Sequence, residues 1–166
     1  MKALVVYESL WGNTAAIARA IAEGIGDDAL SLSTAEATSE QVASADLIVA
    51  GSPILGFTLP SESMRAGISS NLPPGVPAPD LSHPSIRSWL ELLPAGEGRF
   101  ATFETRVKGP WGNAVRAIAK ALAATGRTQV SSATPSMAFI VSGKYGPLRD
   151  GEIERARAWG AEIAGS

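Results

Sequence analysis

The chain of 166 residues contains no cysteine and a single histidine, His83. Without thiols there are no structural disulfides, no thiolate-held zinc and no cysteine-ligated iron–sulfur cluster. One imidazole excludes a multi-histidine metal site, and His83 sits in a proline-rich stretch where an ordinary solvated side chain is expected. Redox chemistry in such a chain has to come from a bound organic group. No apolar run reaches the ~20 residues of a membrane span. The first residues enter a strand directly, with no basic and then apolar leader pattern, so the expected location is the cytoplasm. Charged residues make up only 18% against 45% hydrophobic, the balance of one compact domain over 1–166 rather than of a disordered chain.

Charge is unevenly placed. Residues 1–99 carry 5 Lys/Arg against 11 Asp/Glu, whereas residues 100–149 carry 7 against 1. Such asymmetry speaks to partners rather than fold. The cations are spread over a strand, loops and a helix without interleaved aromatics, so no nucleic-acid partner is expected.

Strand-like apolar runs alternate with helical periodicity along the chain. The strands are read at 2–7, 29–33, 45–51, 98–104 and 128–141, the last interrupted near Pro135. Helices are read at 13–25, near 38–43, around 62–69, at 85–93, 113–126 and 150–164, with Asp150 placed to cap the last. In the first helix Ile17, Ile21 and Ile25 recur at i+4 beside Ala18 and Ala22, an apolar stripe suited to lying on a sheet. Residues 71–84 hold five prolines and read as a surface excursion. The alternation predicts an α/β protein, a three-layer doubly wound sandwich. Its five-stranded parallel sheet should have the order 2-1-3-4-5, with ligands at the carboxyl ends of the strands where the winding reverses.

Three loops meet there. The first, "ESLWGNT", runs from a strand directly into a helix. The free amides of a helix start, with about half a positive charge from the dipole, form an anion site without any lysine. Ser9 and Thr14 add hydroxyls, Gly12 lets backbone approach an anion closely, and Asn13 can adopt a left-handed turn or cap the helix. The turn lacks the glycine and lysine pattern of a nucleoside-triphosphate loop and the three-glycine pattern of a dinucleotide site. A small monophosphate suits it better. The other two loops are "SPILGFTLPS" and "ETRVKGPWGN".

The sequence "S-L-W-G-N-T" at 9–14 resembles the FMN phosphate loop of the flavodoxin family. The resemblance extends in element order over nearly the whole chain, through "ATFETRV" at 101–107 to "GPL" at 146–148 and the ending at 151–162. It implies FMN held noncovalently: the phosphate by Ser9, Leu10, Trp11, Gly12, Asn13 and Thr14, and the ring flanked by two walls. One wall is Ser52, Pro53, Ile54, Leu55, Gly56 and Phe57. The other is Phe103, Glu104, Thr105 and Arg106, with Trp111. Trp11, Phe57 and Trp111 are the candidate stacking residues, and Lys144 is placed to reach the rim. The implied role is a one-electron carrier between partner proteins, acting as a monomer or weak dimer, with no catalytic acid or base needed. Two alternatives remain at this point: an FMN-dependent NAD(P)H:quinone-type oxidoreductase, and a flavin-free binding domain of the same fold. The ring-flanking loops depart from the family in aromatic spacing and in the basic pair Arg106 and Lys108. A cation beside the ring would favour its reduced anion.

Overall fold

The computed structural model of the protein describes residues 1–110 and 112–166. The elements run β1 (Ala3–Tyr7), α1 (Asn13–Ile25), β2 (Ala29–Ser33), α2 (Ser39–Ser44), β3 (Leu47–Pro53), α3 (Glu62–Ser70), α4 (Ile86–Glu91), β4 (Arg99–Val107), α5 (Ala114–Ala124), β5 (Thr128–Gln129), β6 (Ser136–Val141) and α6 (Glu152–Ala164). All pairings between these strands are parallel, in the order β2-β1-β3-β4-β5, with β6 also on β4. β5 pairs Arg99–Phe100 and β6 pairs Thr102–Val107, so the two are halves of one fifth strand. The break falls where expected, beside Pro135, whose carbonyl accepts from the Thr102 amide at 3.2 Å. The order is the one the alternation of elements predicts.

Strand residues point alternately to two cores, as the pleat requires. Val5, Leu47, Val49, Ala101 and Phe103 pack under α1 and α6, with Ile17, Ile21, Trp159 and Ile163. Leu4, Val6, Ile48, Ala50 and Phe100 pack on the other face with Val42, Ile86, Trp89, Ile118 and Leu122. Two glycines bring α1 and α6 together. A Cβ on Gly24 would strike the Arg157 carbonyl, and one on Gly160 would strike that of Ile21. The helices therefore cross backbone against backbone.

Element ends differ from the sequence expectation mainly at the site. β3 runs on through Ser52 and Pro53, and β4 through Thr105, Arg106 and Val107, because the two ladders pair Ser52 with Glu104 and Pro53 with Thr105. Asp150 does not cap α6; Gly151 occupies that position in a left-handed turn (φ 84°), without a side-chain cap. Instead the Glu152 carboxylate accepts from the Ile140 amide at 2.7 Å and pairs with Arg155.

Candidate functional site

The turn after β1 is shaped by its own polar groups. The Glu8 amide donates to the Gly51 carbonyl at 3.2 Å, which extends β1 by one residue toward β3. The Gly12 amide then donates to Ser9 Oγ at 3.1 Å, and Gly12 turns left-handed (φ 90°) to cap α1. A side chain there would be strained, although among the described residues nothing lies within 4 Å of where its Cβ would stand. The glycine's outer face is open. The first i−4 bond of α1 is from Ala16 to the Gly12 carbonyl, so the amides of Asn13, Thr14 and Ala15 precede the helical ladder. Carboxylates stand in the first turn of α2, α3 and α6 (Glu40, Glu62, and Glu152 with Glu154), and Glu104 serves α5. The first turn of α1 has none.

Against this turn lies a narrow crevice of about 100 Å³. Leu10, Trp11, Asn13 and Thr14 form one side; Pro53, Ile54 and Leu55 form the second; Thr105, Arg106 and Val107 form the third, with Val141 and Lys144 closing it. The three loops expected to converge do so here. Thr14 Oγ1 and Thr105 Oγ1 join two of them through a 2.7 Å hydrogen bond. A wider recess of about 370 Å³ adjoins, sharing Leu55 and Lys144 and adding Gly56, Met64, Ile68 and Tyr145. Val107 belongs to the third expected loop, whereas sequence reasoning gives no signal for Val141 or Tyr145. Tyr145 holds the first turn from above. Its ring stands edge-on to Trp11 (4.7 Å, 77°), and its carbonyl accepts from Asn13 Nδ2 at 3.3 Å.

Some expected site residues have other duties. Phe103 is fully buried in the α1–α6 core against Phe139 and Gly51, and stands behind the crevice rather than in its wall. Ser52 is also fully buried, its hydroxyl donating to the Pro53 carbonyl. Glu104 is 3% exposed: Oε2 accepts the amides of Ala114 and Val115 at the start of α5, and Oε1 pairs with Arg106 Nη1 at 3.0 Å. The Arg106 guanidinium, expected to face the ring, is held by Glu104 and by the carbonyls of Gly109 and Gly112. Arg106 also lines the crevice, and Glu104 answers its charge. Gly56 turns left-handed (φ 63°) within the paired turn Leu55–Thr58. Phe57 is 67% exposed, and its carbonyl accepts from the Asn113 amide. Trp111 lies outside the described residues.

His83 corrects the expectation of a solvated side chain: it is 6% exposed, with Nε2 accepting the Ser9 amide at 3.0 Å. The reason is that the proline-rich excursion folds back over the first turn. Pro77 O accepts from the Trp11 indole, and the Asp80 amide donates to Leu10 O. Beneath lies a buried polar cluster. Glu8 is 0% exposed and accepts the Ile86 amide at 2.9 Å, with Arg65 Nε at 3.4 Å from its other oxygen. Arg65, 3% exposed, also donates to His83 O at 2.5 Å and pairs with Glu62 at 3.2 Å. Burial pushes the Glu8 carboxyl up to about 7, over the opposing pull of the Ile86 amide and Arg65. Burial also holds His83 below its ordinary value.

No protein-family model and no curated protein sequence matches the chain. Solved structures do match over nearly the full length. A flavodoxin from the domain Archaea superposes with a TM-score of 0.67 at 21% identity, covering 99% of this chain and 97% of that one. Flavodoxin 2 of Bacillus cereus gives 0.66 at 18%, covering 99% of each. A flavodoxin, WrbA-like protein from Agrobacterium tumefaciens gives 0.62 at 22%, covering 98% and 94%. The fold is that of the flavodoxins.

Proposed function

We propose that the protein binds FMN in the crevice and acts as a redox carrier between partner proteins. The observation that carries this reading is the start of α1, whose first turn holds no carboxylate and which meets the ends of β3 and β4 in the crevice. The dimensions suit the group in two parts. At ~30 Å³ per water, 100 Å³ holds about three waters, room for a phosphate. The adjoining 370 Å³ recess falls in the ~300–1,000 Å³ range of organic-ligand pockets. The donor set suits an anion as well: helix-start amides, the Thr14–Thr105 hydroxyl pair, in which one proton stays available, and Lys144 at the mouth.

FMN would supply electron-transfer chemistry to a chain that has no cysteine. The residues hold and enclose it. Leu10, Thr14 and the Gly12 turn bind the phosphate end. Ile54 and Leu55 line the crevice with Thr105 and Val107 and would flank the ring there, and Gly56 lines the adjoining recess. The apolar side chains among them would exclude water from the bound group. Purified protein is expected to be yellow and to quench added FMN fluorescence at one site per chain. A colourless protein that leaves FMN fluorescence unchanged refutes the reading. NAD(P)H oxidation by the FMN-loaded protein alone would replace the carrier role with an enzymatic one.

A further inference from the structure

The segment 77–86 is fastened to the first turn at four points. Three are ordinary: Asp80 N–H to Leu10 O at 2.8 Å, the Trp11 indole to Pro77 O at 3.0 Å, and Ile86 N–H to the Glu8 carboxylate at 2.9 Å. The fourth, Ser9 N–H to His83 Nε2, has a chemical condition attached. A ring nitrogen that accepts a hydrogen bond carries no proton, so this bond exists only while His83 is neutral, with its hydrogen on Nδ1. Nδ1 is itself buried and unpartnered among the described residues. Protonating Nε2 would set one N–H against another and place a second cation beside Arg65.

The surroundings favour the neutral ring. Burial dominates. Asp80, on the same segment, favours the imidazolium, while Arg65 from α3 opposes it. Glu8 and Glu62 are the carboxylates that answer Arg65, and Arg87 of α4 adds a further positive charge near Glu8. Glu36 and Tyr7 line the same 380 Å³ cavity as His83, Ser9 and Gly12. The bond also leads directly into the site, because Ser9 Oγ accepts the Gly12 amide that starts α1.

We propose that His83 is a positioning residue for the anion-binding turn: its neutral ring pins the Ser9 amide, and protonation releases the Ser9–Gly12 turn and weakens binding of a phosphate group. The inference rests on the reading that this turn holds the FMN phosphate. Two variants of the full chain test it. His83→Gln keeps an acceptor that does not titrate, and His83→Leu removes the acceptor. All forms retain Glu8 and the same ligand, so their titrations are common to the comparison.

In wild type, the Ser9 and Gly12 amide resonances should move with the imidazole titration, at a midpoint below the ordinary ~6.5 of histidine. In His83→Gln they should lack that transition. FMN affinity from fluorescence titration should fall more in wild type than in His83→Gln as the pH drops through the imidazole midpoint, the excess approaching about tenfold only well below that midpoint, the scale of one lost hydrogen bond. His83→Leu should bind about tenfold more weakly at the higher pH. Ser9 and Gly12 amides that stay fixed while the imidazole titrates overturn the proposal, as does an identical pH profile in wild type and His83→Gln. A wild-type chain that binds no FMN removes the cofactor reading alone, and the amide titration then decides the role of His83.

Discussion

Replacing Glu8 by glutamine tests which force governs the buried cluster under the first turn. Burial raises the carboxyl from its ordinary 4.5 to about 7, while the Ile86 amide and Arg65 pull the other way and Glu62 adds to the rise. The folded protein therefore holds a proton on Glu8 across a window, about 4.5 to 7, in which the unfolded chain has released it. Because the folded state binds more protons there, the contribution is fully present below 4.5 and lost as pH rises to about 7. At 1.36 kcal/mol for each tenfold in proton affinity, the span corresponds to about 3 kcal/mol. Glutamine is neutral at every pH and still offers an oxygen to the Ile86 amide. Arg65 keeps His83 O and Glu62 as partners in either case. Urea unfolding followed by tryptophan fluorescence should then find the variant within about 1 kcal/mol of wild type at low pH and about 3 kcal/mol more stable above neutrality. Other titrating groups are shared and cancel in the difference. A pH-independent loss of about 3–5 kcal/mol would refute the reasoning, since it is the signature of stripping a buried guanidinium of an ionised partner.

Thr14→Ala should weaken FMN binding by about 1–3 kcal/mol, the range for a hydrogen bond to a charged group, and should also lower the unfolding free energy by about 1–3 kcal/mol because the buried Thr105 hydroxyl loses its partner; a fluorescence titration measures the first and chemical denaturation the second. Glu104→Ala should destabilise the fold by about 3–5 kcal/mol, because it strips Arg106 of its carboxylate and the start of α5 of two acceptors; chemical denaturation checks this, and the Glu104→Ala, Arg106→Ala double variant should recover part of the loss. Gly12→Ala should lower stability by about 1–2 kcal/mol through the left-handed backbone alone, since among the described residues its Cβ meets no atom within 4 Å.

The layered architecture could be read from the sequence because period is a property of many residues at once. The i+4 stripe Ile17, Ile21, Ile25 and the β-branched run of β1 each constrain a whole element. The turn at 9–14 was legible for a related reason: its hydroxyls, glycine and helix start lie contiguous in the chain. Glu8, Arg65 and His83 offered no such pattern. They are single residues far apart in sequence, and only tertiary folding of the proline-rich segment makes them one cluster. β3 and β4 run past their expected ends, which fall short because the residues there, Ser52 and Pro53, Thr105 and Arg106, carry loop-like side chains. The ladder hydrogen bonds between neighbouring strands override those preferences. The family resemblance implies ligand contacts for Glu104 and Phe103, yet one serves the start of α5 and the other fills the core. Whether a strand residue faces a crevice, a helix start or the core depends on where the pleat puts it.

The glycine crossing of α1 and α6 has a consequence for biosynthesis. The helix that begins at the proposed phosphate turn has its closest helical neighbour more than a hundred residues further along the chain. A growing polypeptide that has emerged only through β6 presents the Gly24 side of α1 with no α6 to cover it, and lacks the Trp159 and Ile163 that complete this core; contacts of such long sequence separation form slowly. The nascent protein thus passes through a stage with an exposed apolar helix face, the condition under which holding chaperones engage and aggregation competes. Substituting Gly24 or Gly160 by a larger residue should prolong that stage, so its first effect in cells would be a lower soluble yield.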